Sequence, residues 1–330
     1  MSRLSEVVAV DIGGTHARFA LAEVGQGRVV SLGDAVTLKT AEHASLQTAW
    51  EDFGRQVGKP LPRAAAIAIA GPIRGEVLKL TNNPWIIRPA LIEEKLGVDH
   101  FALVNDFEAV GHAVAQCAPE HFLHLTGPDV PLPVEGTISI IGPGTGLGVA
   151  HVWRGSDTCH VQATEGGHID FAPLDVIDDA LLKALRTRYR RVSVERVVAG
   201  PALADIYATL AAIEGRAVMA MEDKALWALA IDGTDSLAAA AADRFCMALG
   251  SVAGDIALAQ GGCGVVIAGG LGLRIKDILV RSGFAERFRA KGRFAELMAS
   301  LPVKLITHRE PGLFGAAAAF ARSHNERGHT

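Results

Sequence analysis

The chain has 330 residues, 49% of them hydrophobic and 21% charged, with 36 acidic against 32 basic side chains and a net charge of −4. A chain of that length and composition can bury a large core and is expected to form two domains. With no block of like charge, it leaves neither nucleic acid nor an anionic membrane an electrostatic footprint.

Apolar alternation predicts strands over 7–12 and 16–22, joined by the tight turn Gly13-Gly14-Thr15. Asp11 interrupts the first strand before any signal-like core develops. A paired-glycine turn exposes backbone N–H groups that can cradle phosphate, and Asp11 at the strand end sits where it could hold a phosphate-bound Mg²⁺, directly or through water. An ordinary hairpin with a solvated Asp would read the same way. Helical patterns at 44–57 and 89–97 then alternate with strands at 64–70 and 101–105, which is α/β organisation. Between them, Thr81-Asn82-Asn83-Pro84 reads as a turn, so Asn82 either braces the loop before Trp85 or reaches a ligand.

Asn105-Asp106 closes the strand Phe101–Asn105 and opens a helical pattern. A strand end projects such a carboxylate toward a ligand crevice, where it can orient a hydroxyl and take its proton, although Asp is also a favoured helix cap. Asn105 carries both a donor and an acceptor for a hydroxyl. The segment 137–150 repeats the opening pattern of strand, glycine turn with threonine, and strand; Gly144 follows Gly13 by 131 residues. Two matching turns suggest a duplicated α/β core with two phosphate loops, Gly13, Gly14 and Thr15 in one and Gly144, Thr145 and Gly146 in the other. Neither ends in G-K-[S/T] and neither is a G-x-G-x-x-G opening a helix, which argues against Walker-type and Rossmann sites.

Glu165-Gly-Gly-His168 combines a carboxylate that accepts from vicinal hydroxyls, an imidazole, and glycines that let the backbone approach a polyol. Glu195 adds a further partner or is a solvated helix residue, and Asp170 more readily supports the motif than performs chemistry. Arg186 to Arg191 reads as a locally basic helix end. Helices are expected over 176–189, 201–213 and the alanine-rich 236–260, where Leu237, Phe245, Met247, Leu249 and Val252 indicate a packed helix. No apolar run has the length of a membrane-spanning helix. Gly264–Gly272 places an apolar strand before a third turn, in which Gly269 and Gly270 either pack against a nucleoside or simply join strand to helix. Cys117, Cys159, Cys246 and Cys263 stand apart without C-x-x-C spacing and are expected to be reduced, mostly buried thiols.

Taken in order, Asp11-Ile-Gly-Gly-Thr15, Leu80-Thr-Asn-Asn-Pro-Trp85, Asn105-Asp-Phe107, Gly142-Pro-Gly-Thr-Gly-Leu-Gly148, Glu165-Gly-Gly-His-Ile-Asp-Phe-Ala-Pro173, Glu195-Arg-Val-Val-Ala-Gly-Pro201 and Pro311-Gly-Leu-Phe-Gly315 resemble the bacterial glucokinases of the hexokinase/actin-like ATPase superfamily nearly end to end. The resemblance implies a duplicated ribonuclease H-like core, with a smaller α/β domain over 1–110 plus 311–330, a larger one with added helices over 111–310, and a cleft between them. It implies ATP-dependent phosphorylation of glucose at its 6-hydroxyl, the entry step of glycolysis, by a cytoplasmic homodimer. Asp106 would be the catalytic base, with Asn105, Glu165, His168, Glu195 and Asn82 on the sugar, the glycine turns and Gly269-Gly270 on the nucleotide, and Mg²⁺ accompanying ATP at Asp11. A zinc-containing branch of related sugar kinases and repressors carries a cysteine cluster after its E-x-G-H motif. Phe171-Ala-Pro-Leu-Asp175 stands there instead, so no zinc is expected. A repressor would need a helix-turn-helix where only ten residues precede Asp11. A partner-moving ATPase would lack Asn105-Asp106 with Glu165-Gly-Gly-His168, whereas a kinase for another hexose remains the alternative.

Overall fold

The computed structural model describes residues 4–80, 83–156, 158–218 and 221–327. In chain order these form β1 (Ser5–Ile12), β2 (His16–Gly25), β3 (Arg28–Leu32), β4 (Val36–Lys39), α1 (Leu46–Val57), β5 (Ala64–Ile69), β6 (Leu78–Lys79), β7 (Ile86–Ile87), α2 (Ile92–Leu96), β8 (His100–Asn105) and α3 (Asp106–Gln116). There follow β9 (Phe122–Thr126), β10 (Gly136–Pro143), β11 (Leu147–Arg154), β12 (Cys159–Thr164), α4 (Val176–Arg186), α5 (Glu195–Val198), α6 (Ala202–Ile213), α7 (Asp223–Asp232) and α8 (Ser236–Gln260). The chain closes with β13 (Gly262–Ile267), α9 (Gly269–Arg274), α10 (Lys276–Arg281), α11 (Phe284–Arg289), α12 (Ala295–Ala299), β14 (Val303–Ile306) and α13 (Pro311–Arg327). Contacts divide the chain into one compact unit of residues 1–118, 161–163 and 308–330 and another of 119–160 and 164–307.

The first unit is built on a sheet of order β3-β2-β1-β5-β8, with β4 beside β2. Strands β1, β5 and β8 run parallel, and β2 returns antiparallel to β1 with Asp11 directly opposite Arg18. Because side chains alternate across a strand, Val8, Val10 and Ile12 meet Phe19, Trp50 and Phe53 on one face. Val7 and Ala9 meet Leu313, Ala316 and Phe320 of α13 on the other. Helix α1 starts on a Ser45/Thr48 capping box and stops at the left-handed Gly58, both legible sequence signals. Helix α13 packs against α3 so closely that a side chain at Gly315 would collide with the Ala109 carbonyl.

The second unit repeats the plan. Its sheet runs β12-β11-β10-β13-β14-β9, with β10–β11 an antiparallel hairpin and β10, β13 and β14 parallel. The added helices wrap α8, whose inward residues include Phe245, Leu249 and Ile256; Trp227 of α7 meets Phe245 edge-on at 5.1 Å. The expectation of no span-length apolar run needs correction. Over its 25 residues α8 is long and apolar enough to cross a bilayer, but 72% of its most apolar window is buried in this core, as a packed alanine-rich helix should be. The cysteines also differ from expectation: only Cys246 is buried, its thiol pushed up to about 12 by burial, while Cys117, Cys159 and Cys263 are half-buried, all four unbridged.

Candidate active site

Three parallel strand ends in the first unit lie side by side: Asp11-Ile12 of β1, Ile69 of β5 and Asn105 of β8. Between β1 and β2, the turn Gly13-Gly14-Thr15 is closed by the Gly13 N–H donating to the His16 carbonyl at 2.9 Å. Among the described residues no hydrogen bond takes the N–H groups of Gly14 and Thr15. Asn82 lies outside the described residues. Its neighbour Asn83 braces the turn, its Nδ2 donating to the Gly13 carbonyl at 2.8 Å while its Oδ1 accepts from Trp85 N at 2.9 Å.

Asp11 is largely buried. Burial pushes its carboxyl up, the facing Arg18 opposes that at 3.5 Å, and Glu310, 3.5 Å from the other side of Arg18, pushes it up further. Its Oδ2 abuts the first turn of α13, where a Cβ at Gly312 would stand 2.6 Å away. Asp106 is the first residue of α3, and the cap role falls to Asn105, whose Oδ1 accepts from Phe107 N at 2.8 Å and Glu108 N at 3.2 Å. Asn105 Nδ2 donates to the Gly71 carbonyl at 3.0 Å, and its side chain also hydrogen-bonds Asp106. Asp106 takes a hydrogen bond from Phe107 N at 2.9 Å. Burial lifts its carboxyl to about 6, against that hydrogen bond and with the help of the Asp11 charge. A carboxylate so raised, at a strand end, is a base poised near neutrality.

In the second unit the turn Gly144-Thr145-Gly146 joins β10 to β11 as a three-residue counterpart of the first. Gly144 N donates to Gly146 O at 2.8 Å, and among the described residues no hydrogen bond takes the N–H groups of Thr145 and Gly146. Each turn thus spends its first N–H on closure and leaves the next two free, an arrangement suited to an anion. Gly269 begins α9 with φ +82, and its position would put a Cβ 2.7 Å from the Pro143 carbonyl, so the third glycine cluster is a strand-to-helix junction pressed against the second turn.

Glu195 also belongs to that turn, its carboxylate accepting from Leu147 N at 2.9 Å. Gly166–His168 is a short 3-10 turn lying on β11, where any side chain at Gly167 would strike the Leu147 carbonyl. Leu147 is therefore common ground for Glu195 and the Glu165–His168 motif. Glu165 and His168 are exposed, with 3.9 Å between Oε2 and Nε2. Beyond them an antiparallel bridge pairs Asp170 with Ser193. Arg191, read from the sequence as part of a basic helix end, donates to the His168 carbonyl at 2.6 Å and pairs with Asp170 at 2.5 Å.

Arg18, Asn83, Arg191 and Glu310 escaped the sequence reading. Arg18 stands opposite Asp11 because the turn closes between Gly13 and His16, a register that the sequence alone does not set. Among the described residues no group of three or more His, Cys, Asp or Glu is arranged to hold a metal. Asp11, a hard-oxygen donor two residues before the glycine turn, fits a Mg²⁺ carried mainly by phosphate oxygens.

Residues 8–323 match the family model described as Glucokinase. A glucokinase of Zymomonas mobilis subsp. mobilis is 60% identical over 97% of this chain and 99% of its own length, and one of Caulobacter vibrioides is 41% identical over 94% and 93%. Among solved structures, a glucokinase from an Antarctic psychrotroph superposes with a TM-score of 0.84 at 32% identity, covering 96% of this chain and 98% of the other. The Balamuthia mandrillaris glucokinase, solved in complex with glucose, shares the fold at a TM-score of 0.79 and 20% identity over 96% and 94%.

Proposed function

The chain belongs to the glucokinase family, and on that premise we propose that it transfers the γ-phosphoryl group of ATP to the 6-hydroxyl of glucose, giving ADP and glucose 6-phosphate. The observation that carries the reading is Asp106, a largely buried carboxylate at a strand end, in the same unit as a glycine turn with two free amides.

Asp106 accepts the proton of the 6-hydroxyl as that oxygen bonds to the γ-phosphorus and the bond from phosphorus to the β,γ-bridging oxygen breaks. Held at about 6, it is ionised at neutral pH and still basic enough to take the proton. Phe107 N fixes its orientation, and Asn105 beside it binds a sugar hydroxyl. Glu165, His168 and Glu195 bind further hydroxyls, joined by Asn82. The free amides of Gly14 and Thr15 and of Thr145 and Gly146 serve the phosphates, and Gly269 and Gly270 border the nucleotide. Asp11 would hold Mg²⁺, directly or through water, and the ion would offset charge on the phosphate oxygens; no zinc is expected. The enzyme is a cytoplasmic homodimer, which light scattering checks. The decisive assay measures ADP formation against a panel of hexoses. ADP output that rises with glucose above the other sugars is expected, and output indifferent to glucose would refute the proposal.

A further inference from the structure

We propose that Arg191 is a positioning residue for sugar recognition, a role that rests on reading Glu165 and His168 as sugar contacts. The Glu165–His168 motif is a surface turn with little of its own to hold it: His168 N donates to Glu165 O at 3.0 Å and Ile169 N to Gly166 O at 3.3 Å. At Ile169 the backbone leaves the turn for an extended course, φ −66 and ψ 160. Arg191 grips the chain at that change of direction. Its Nη2 holds the His168 carbonyl and its Nε holds Asp170, so one rigid guanidinium fixes the residues on both sides of Ile169.

The backbone that follows Arg191 continues the same grip. Phe171 N donates to Val192 O at 3.0 Å, Val194 N donates to Ile169 O at 2.9 Å, and Glu195 comes next with its bond to Leu147 N. The strip 191–195 therefore sets the relative positions of His168, Asp170 and Glu195. Two neighbouring arginines are committed elsewhere: Arg188 pairs with Asp205 at 2.5 Å and Arg196 lies 4.4 Å from the Tyr189 ring centre. Arg191 and Asp170 are 59% and 73% exposed, and an ion pair so exposed adds little to global stability. Its effect is on where the His168 main chain sits, and misplacing a binding group by a fraction of an ångström is costly to recognition.

The test measures glucose and ADP dissociation constants, melting temperature, and kcat and KM for Arg191→Ala, Arg191→Lys, His168→Ala, Glu165→Gln and the Arg191→Ala/His168→Ala pair. Arg191→Ala is expected to weaken glucose about tenfold, the size of one lost directional hydrogen bond. ADP affinity should stay within twofold and the melting temperature within about 2 °C. KM for glucose should rise more than kcat falls, and the preference for glucose over 2-deoxyglucose should narrow. Lysine should rescue little, because one ammonium cannot span both partners. The double variant should bind glucose little worse than His168→Ala alone, since Arg191 acts through His168. Strictly additive losses, unchanged glucose affinity, or parallel losses of glucose, ADP and stability would each overturn the proposal. If His168→Ala and Glu165→Gln also leave glucose binding intact, the sugar-site reading itself fails; if they weaken it while Arg191→Ala does not, only the role of Arg191 fails.

Discussion

Replacing Asp106 by Asn should make the protein more stable while nearly abolishing turnover, and the gain should depend on pH. The amide keeps the size of the carboxylate and the acceptor for Phe107 N, but it carries no charge into a site whose burial disfavours one. Raising a carboxyl from 3.8 to about 6 means that the ionised native state is penalised by about 3 kcal/mol relative to the unfolded chain. The sign follows from linkage: between those values the native state binds more protons than the unfolded one, so stability falls as pH rises through the interval and levels off above about 7. Urea unfolding of parent and variant from pH 4 to 8 measures this directly. The variant's advantage should grow by about 2 kcal/mol between pH 4 and 7 and then stay flat, while kcat/KM of the parent falls about tenfold per pH unit below 6. A stability difference constant from pH 4 to 8 would refute the idea that burial holds a proton on Asp106 up to about pH 6.

Gly269→Ala should lower stability by about 1–3 kcal/mol and weaken ADP binding, because its φ of +82 and the nearby Pro143 carbonyl both oppose a Cβ. Gly270→Ala, where a Cβ meets nothing within 4 Å, should fold normally, and calorimetry on the pair separates the two effects. Asp175 caps α4 and faces Arg244 and Arg287; although burial alone would raise it, those partners hold it at about 2. Its contribution is therefore present above pH 4 and lost as pH falls toward 2, so Arg244→Met should unfold more easily at pH 7 and differ less from the parent near pH 2.5. Chelation of zinc should leave the melting temperature unchanged, and a stoichiometric zinc by metal analysis would contradict that expectation.

The strand-turn-strand units around Gly13 and Gly144 were legible because apolar alternation and paired glycines are local signals. So were α1 and α8, through helical periodicity and the larger apolar residues of the alanine tract. Strands β3, β4 and β9 were not, since they are short and mostly half-exposed, with little alternation to read. The same divide runs through the site. Asp11, Asp106 and Glu165 stood out through their immediate neighbours, whereas Glu310 meets Arg18, and Arg191 meets His168, only through tertiary contact. Asn105 shows a third case: the sequence offered its amide to a sugar, and the fold first employs its oxygen as the cap of α3.

The packing of α13 on β1 has a consequence for how the protein is made. Asp11 rests against Gly312, 301 residues later in the chain, and the face of β1 that carries Val7 and Ala9 is covered chiefly by Leu313, Ala316 and Phe320, with Ala109 of α3 in the same cluster. On the ribosome, the opening hairpin must wait tens of seconds at ordinary elongation rates with most of one apolar face unsheltered. The second unit, whose elements all lie between residues 119 and 307, is free to fold first. Nascent chains stalled before residue 311 should thus resist protease across 119–307 and be cut near their beginning. The first phosphate turn, although written earliest, would be the last part of the enzyme to take shape.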